Sequence, residues 1–320
     1  LVTSYTLLRL EAEDYHQLSW AGMILDEAQA VKNYRGKTYQ AVRRVPASFR
    51  LAITGTPLEN SLMDLWALLS LTAPGLYPNP DTFADDYRRP IEQGGDAERL
   101  ARLRRRIRPL MLRRRKEEVA PELPPKVEQV LAVELSAAHR RVYGRQLQRE
   151  RQRVLGMLDD VQRNRIAIFR ALTKLRQLAL APELVDAEHA SVGSSKLDAV
   201  MEHIGEVVAE GHRALVFSQF TGFLSLLRRR LDAAGIAYEY LDGRTRKRAE
   251  RIPAFRTGDA PLFLISLKAG GFGLTLTEAD YVFILDPWWN PAAEEQAIDR
   301  THRIGQQQTV MVYRLVATDT

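Results

Sequence analysis

The chain has no cysteine among its 320 residues, which excludes disulfides, thiolate metal sites and cysteine nucleophiles. It has no apolar run near the roughly 18 residues that a membrane span needs, and no signal-peptide pattern opens it. The sequence therefore predicts a cytoplasmic setting and no membrane partner. Repeats with a period of about 20–50 residues are missing as well, so a solenoid is not expected. Nor does one sign of charge dominate. Forty-six basic residues stand against 40 acidic ones, a net charge of +6, which permits a nucleic-acid partner without requiring one. The chain opens on Leu1 rather than methionine, inside a stretch that reads as a strand, so a piece of a longer protein is expected.

Hydrophobic residues make up 45% of the chain, enough to bury cores of ordinary size, and the length suggests two domains. In residues 1–75 short apolar runs alternate with helical stretches. Trp20–Leu25 and Phe49–Ile53 are apolar runs, the second broken only by Arg50, and read as buried parallel strands. Residues 76–190 are rich in Arg, Leu and Glu at helical spacing, broken by Pro78, Pro80, Pro90 and the stretch Pro121–Pro125. From Ser194 the alternation returns, with strands expected at Ala214–Ser218, Ala237–Leu241, Leu262–Ile265 and Tyr281–Leu285. Helical segments between them imply βαβ units and a parallel sheet. The expected fold is α/β: two parallel-sheet lobes, 1–75 and 191–320, joined by a helical insert and linker, 76–190.

Three stretches carry chemistry. Asp26-Glu27-Ala28-Gln29 follows an apolar strand, at the carboxyl edge where open α/β sheets bind ligands. Adjacent carboxylates there can divide the work of ATP hydrolysis, Asp26 helping to hold Mg²⁺ and Glu27 orienting and deprotonating water. The plainer alternative is an acidic first turn of a helix. About 28 residues later, Ile53-Thr54-Gly55-Thr56-Pro57 closes a second strand, either as a turn near phosphate or as an ordinary helix start with Thr56 as cap. The third stretch follows the Leu262–Ile265 strand, from Ser266 through Lys268, Gly270, Gly271 and Gly273 to Thr275. Its glycines let backbone amides approach a phosphate. Asp286-Pro287-Trp288-Trp289-Asn290-Pro291 comes next, then Gln296, Asp299, Arg300 and Arg303. If 292–304 is helical, Arg300 and Arg303 share a face and can serve as arginine fingers. The alternative is a salt-bridged helix in which Glu295 and Asp299 answer them.

Taken together these residues resemble the Swi/Snf family of helicase-like ATPases, within helicase superfamily two. Val2–Tyr5 looks like the strand before motif II, Asp26–Gln29 like motif II, and Ile53–Asn60 like motif III. Leu215–Phe220 is similar to motif IV, and Ser266–Gln306 to motifs V and VI, with Asp286–Pro291 peculiar to the family. Met111–Arg114 with Leu123–Lys126 resembles the crossing between lobes. The resemblance spans essentially the whole chain and implies two RecA-like lobes, the first truncated at its N-terminus. It also implies ATP and Mg²⁺ as cofactors and sequence-independent double-stranded DNA as partner, with a DNA-bound protein as a further one. Catalysis falls to Asp26, Glu27, Arg300 and Arg303, with Asp26 as metal ligand. ATP contact and coupling fall to Gln29, Thr54, Gly55, Thr56, Gly273 and Gln296. DNA contact falls to Gln219, Ser266, Lys268, Gly270, Gly271, Thr275 and Asn290.

The family's Gly-rich phosphate loop and its adenine-side glutamine motif are not found in these residues, so the 320-residue stretch by itself is expected not to hydrolyse ATP. That leaves a non-catalytic nucleic-acid-binding piece as the alternative. An RNA helicase is disfavoured by Gln29, Gly305-Gln306 and the Asp286–Pro291 stretch. Residues 99–116 hold nine arginines and one lysine, either a solvated face or phosphate contacts.

Overall fold

The computed structural model describes residues 1–56, 58, 61–157, 160–267, 269, 274–288 and 291–320, apart from the side chains of 117, 161 and 162. Contacts divide the chain into two units, Leu1–Arg115 and Lys116–Thr320. The span 76–190 is thus shared between them.

In the first unit, β1 (Met23–Leu25) and β2 (Arg50–Ala52) pair in parallel, with Leu25 opposite Ala52. A Cβ on Gly22 would meet the exposed Phe49 ring at 2.2 Å, so a side chain there would have to turn that ring aside. The helix Leu62–Thr72 is apolar nearly all round and buries Leu65, Trp66 and Leu69, as a helix surrounded by protein must. Ser61 caps it, accepting from the Met63 N–H, so Thr56 is not the cap of this helix. The strand expected at the start of the chain is not formed. Ser4 instead caps a helix, Tyr5–Leu10, while Leu1 and Val2 are 88% and 98% exposed. Among the described residues β1 and β2 form a sheet of two. With no ladder offered to residues 1–4, the local cap wins.

The second unit is built on six parallel strands: β3 (Lys126–Val133), β4 (Ala214–Ser218), β5 (Tyr238–Leu241), β6 (Leu262–Ser266), β7 (Tyr281–Ile284) and β8 (Val310–Ala317), in the order β3-β8-β7-β4-β6-β5. β4 and β6 are buried throughout. Ala214, Val216, Leu262 and Leu264 enter one core with Val200, Ile204 and Phe223. Leu215, Phe217, Phe263 and Ile265 enter another with Phe255, Leu276 and Ile298. Helices on both faces are why these strands read as unbroken apolar runs.

β3 lies inside the span expected to be helical. It is an edge strand, paired with β8 from Lys126 opposite Val310 to Val133 opposite Ala317. One exposed side lets it carry Lys126, Glu128 and Gln129, which hides it among charged neighbours. Two long helices follow, Ala137–Leu155 and Val161–Leu180. Among the described residues no helix is long and apolar enough to cross a membrane.

Candidate active site

The parallel register of β1 and β2 brings the acid pair beside the threonine turn. Ile53 N donates to Leu25 O at 2.8 Å and Ala28 N to Ile53 O at 2.9 Å. From there a chain of side-chain bonds runs across the two strand ends. The Thr54 hydroxyl donates to Gln29 Oε1 at 2.7 Å, and Gln29 Nε2 donates to Glu27 Oε2 at 2.6 Å. Thr56 N closes onto Thr54 Oγ1 at 3.1 Å. This order fixes which way the Gln29 amide points. It also aims the Glu27 carboxylate, which with about four lone-pair sites keeps capacity for a water after one contact.

Glu27 sits in the left-handed region at φ 48° and ψ 50°. A residue with a side chain adopts this only when its surroundings hold it there, at about 1–3 kcal/mol. The segment after it is a short 3₁₀ turn, Ala28–Val31, so the pair does not begin a regular α-helix. Asp26 is exposed, with Oδ1 accepting from Glu27 N at 2.9 Å. Tyr5 donates to Asp26 O at 2.6 Å. Burial, reinforced by the charges of Asp26 and Glu27, pushes the Tyr5 hydroxyl up to about 12.

The second constellation stands at the carboxyl edge of the six-stranded sheet. From β4 the chain builds β5 and β6 on one side, then β7 and β8 on the other. The ends of β4 and β7 therefore flank a topological switch point, where such sheets bind ligands. Asp286, just past β7, accepts Gln219 N at 3.2 and 3.1 Å on its two oxygens. Its carboxyl is pushed up to about 6, first by burial, against hydrogen bonds from Ser218 and Gln219 and the charge of Lys196. Lys196 donates to Leu285 O at 3.1 Å and Leu315 O at 2.7 Å. Burial brings it down to about 8, partly offset by Asp286. Arg176 donates to Gln219 Oε1 at 3.3 Å and Pro287 O at 3.0 Å, and its guanidinium lies 4.5 Å from the Trp288 ring centre. Glu294, 4% exposed, accepts the Trp288 N–H and also Arg314 Nε at 3.0 Å.

Ser266 closes β6 opposite Ser218. Lys268, Gly270, Gly271, Gly273 and Asn290 lie outside the described residues. Thr275 O accepts from Arg256 Nη2 at 2.6 Å, and Leu276 N donates to Arg300 O at 2.9 Å. The expected helix over 292–304 ends at Ile298, with Gln296 half-buried on it. Past Ile298 the chain turns: His302 N still donates to Ile298 O at 3.0 Å, but Arg300 O accepts from the distant Leu276 N and Thr301 O from the buried Gln306 amide at 3.2 Å. Arg300 is thus buried in a turn while Arg303 is exposed, and the two do not share a helical face. Glu295 and Asp299, the alternative partners, are engaged elsewhere. Asp299 pairs with Lys116, and Glu295 with Lys126 at 3.1 Å and Arg314 at 3.5 Å.

The sequence reading missed Arg176, Lys196, Asp286 and Glu294 as members of this site. For Lys196 a signal existed. A lysine in the first turn of a helix opposes the macrodipole, and this one follows the N-cap Ser194 on a helix whose buried face is Leu197, Val200 and Ile204.

Parallel sheets with acids and hydroxyls at their carboxyl edges fit the RecA-like class of fold. The chain belongs to the SNF2-related family: the SNF2-related domain matches residues 1–184, and the helicase conserved C-terminal domain matches 195–305. It is 34% identical over 329 residues to the putative ATP-dependent helicase/translocase YwqA of Bacillus subtilis, covering 100% of this chain and 36% of that protein. To the human SWI/SNF-related matrix-associated actin-dependent regulator of chromatin subfamily A member 1 it is 34% identical over 333 residues, covering 100% of this chain and 32% of that protein. The chain spans about a third of the length of these relatives. The Sulfolobus solfataricus SWI2/SNF2 ATPase core in complex with dsDNA is similar at 30% identity and TM-score 0.51, over 99% of this chain and 67% of that one. The C-terminal part of the Fun30 ATPase domain is similar at 25% identity and TM-score 0.52, over 62% and 86%.

Proposed function

We propose that these residues are the motor portion of an ATP-dependent translocase or remodeller of double-stranded DNA. In this reading 1–75 belongs to the first RecA-like lobe and 191–320 to the second, with 76–190 inserted between them and contributing β3 to the second lobe's sheet. The observation that carries it is the bonded chain Thr54–Gln29–Glu27, which holds a strained, aimed carboxylate beside an exposed one at two parallel strand ends. Family membership supports ATP as the fuel. Asp26 offers a hard oxygen ligand. Among the described residues no cluster of three or more metal-binding side chains forms, so Asp26 would hold Mg²⁺ as a single protein ligand, the kind of site Mg²⁺ takes beside substrate phosphates. When bound, Mg²⁺ supplies neutralisation of phosphate charge.

Glu27 orients the attacking water and takes its proton. Gln29 and Thr54 hold that carboxylate and tie its position to the turn Thr54-Gly55-Thr56, which with Gln296 and Gly273 couples the nucleotide to movement. Arg300 and Arg303 stabilise charge on the transferring phosphoryl group. Gln219, Ser266, Lys268, Gly270, Gly271, Thr275 and Asn290 contact the DNA backbone, and a DNA-bound protein is the load. Such a motor works in the cytoplasm, on the nucleoid in a bacterium or archaeon.

Residues 1–320 contain no Gly-x-Gly-Lys-Thr pattern. Gly36-Lys37-Thr38 opens a helix shortly after the 3₁₀ turn, without a strand before it. This stretch alone therefore turns over ATP negligibly, whereas the complete protein does so with duplex stimulation. Steady-state ATPase assays of both, with and without duplex DNA, test this, with Glu27→Gln in the complete protein losing turnover by about 10²-fold or more. Equal turnover with and without duplex sinks the reading, as does full activity of Glu27→Gln. Duplex binding by a complete protein without turnover favours the non-catalytic alternative.

A further inference from the structure

The turn that carries Arg300 and Arg303 is gripped from a segment nearly two hundred positions earlier in the sequence. Lys116 Nζ pairs with Asp299 Oδ1 and donates to His302 O at 2.9 Å. His302 Nε2 lies 2.9 Å from Pro124 O. A carbonyl only accepts, so Nε2 carries the proton. Lys126 Nζ reaches Glu295 Oε2 at 3.1 Å, one helical turn before Asp299. Residues 116–126 thus hold 295–302 at four points, two of them from a single ammonium that brackets Arg300 and ends one residue short of Arg303. Bonds from the other side, Leu276 N to Arg300 O and Gln306 Nε2 to Thr301 O, complete the cradle.

The Lys116–Asp299 side chains are 38% and 45% exposed, and so open a pair contributes little to folding. Its consequence is geometric. A lysine has three donors on a compact head, and here two of them tie both ends of one turn to the point where the chain enters the second unit. Arg303 leaves that turn exposed, while Asp299 pairs with Lys116, and Glu295 with Lys126 and Arg314. What aims it is the turn itself.

We propose that Lys116 is a positioning residue for the arginine turn, fixing Asp299 and His302 O so that Arg303 leaves in the direction the transferring phosphoryl group requires. This rests on the arginine roles given under the proposed function. Transition-state contacts are steep in distance, and a misplacement of about 1 Å can cost about 10²-fold in rate. Loss of Lys116 therefore acts on turnover and leaves nucleotide binding in place.

The test uses the complete protein with duplex DNA. Turnover at saturating ATP, affinity for a non-hydrolysable ATP analogue and thermal midpoint are measured for Lys116→Ala, Lys116→Arg, Asp299→Asn, Arg303→Ala and the Lys116→Ala/Arg303→Ala double variant. Lys116→Ala is expected to lower turnover about tenfold or more with analogue affinity and midpoint unchanged, Asp299→Asn by a smaller factor, and Lys116→Arg to recover most of it. In the Arg303→Ala background, Lys116→Ala should cost nothing further, because the two act as a unit. Unchanged turnover in Lys116→Ala overturns the proposal. So does an equal loss with and without Arg303, which marks a structural role. If Arg303→Ala itself keeps full turnover, the arginine reading and this proposal fall together. If Arg303→Ala loses turnover while Lys116→Ala does not, this proposal falls and the arginine reading stands.

Discussion

Replacing Asp286 with Asn should make the second unit more stable while damaging what the site does. Asp286 is 4% exposed, and its carboxyl is raised from the ordinary 3.8 to about 6, first by burial. A raised carboxylate pKa means the folded state binds the proton more tightly than the unfolded chain. Stability from this group is therefore present at low pH and is lost as pH rises from about 4 through about 6. At about 1.4 kcal/mol per unit, the ionised side chain costs about 3 kcal/mol at neutral pH. That figure already includes the attraction of Lys196, which pulls the pKa down. Asn imitates the protonated acid, and its Oδ1 can keep accepting Gln219 N. Allowing for weaker neutral hydrogen bonds, the expected gain is about 1–3 kcal/mol above pH 6, shrinking to nothing near pH 4. Urea titrations of the whole chain at pH 4, 5.5 and 7.5 measure this, read by pulsed hydrogen exchange at β4 and β7 amides so that the second unit is followed separately. A variant less stable than its parent at pH 7.5, or a difference independent of pH, refutes the reasoning.

Thr54→Val removes the hydroxyl that orients the Gln29 amide. It should lower turnover of the complete protein about tenfold with little change in ATP affinity, as for an interaction used in the transition state. Duplex binding should be weak and blind to sequence, with log affinity falling linearly against log salt by about 0.9 per phosphate neutralised. Lys268→Gln should reduce that slope by about one and leave the ratio between two unrelated duplexes unchanged. A strong preference for one duplex contradicts it.

The strands that sequence made legible are those buried on both faces or ending in a motif. Ala214–Ser218 and Leu262–Ile265 are unbroken apolar runs because helices cover both sides of β4 and β6. β3 escaped because, as an edge strand, it carries Lys126, Glu128 and Gln129, and those residues continue the charged composition around it. The helix expected over 292–304 failed for a related reason. Its periodicity and a local bond, His302 N to Ile298 O, run past Ile298, but Arg300 O goes to the distant Leu276 N and the chain turns away. Local pattern is overruled wherever a distant group takes the backbone's bond.

The same division holds in the site. Asp26, Glu27, Gln29, Thr54 and Thr56 are strand-end residues whose neighbours in space are set by the β1–β2 register, so two short motifs singled them out, although their bonding to one another was not foreseen. Arg176, Lys196 and Lys116 sit on helices and a linker far away in sequence, and nothing in their local spacing says which strand end they reach. Each tethers backbone rather than offering a reactive group: Pro287 O, the carbonyls of Leu285 and Leu315, and His302 O. Burying Lys196 and Asp286 costs stability on both sides, as their opposed pKa shifts show. A cost accepted where β4 and β7 part company is consistent with placement outweighing stability at that edge. The strand ends supply the chemistry, and cations from elsewhere in the chain hold those ends in register.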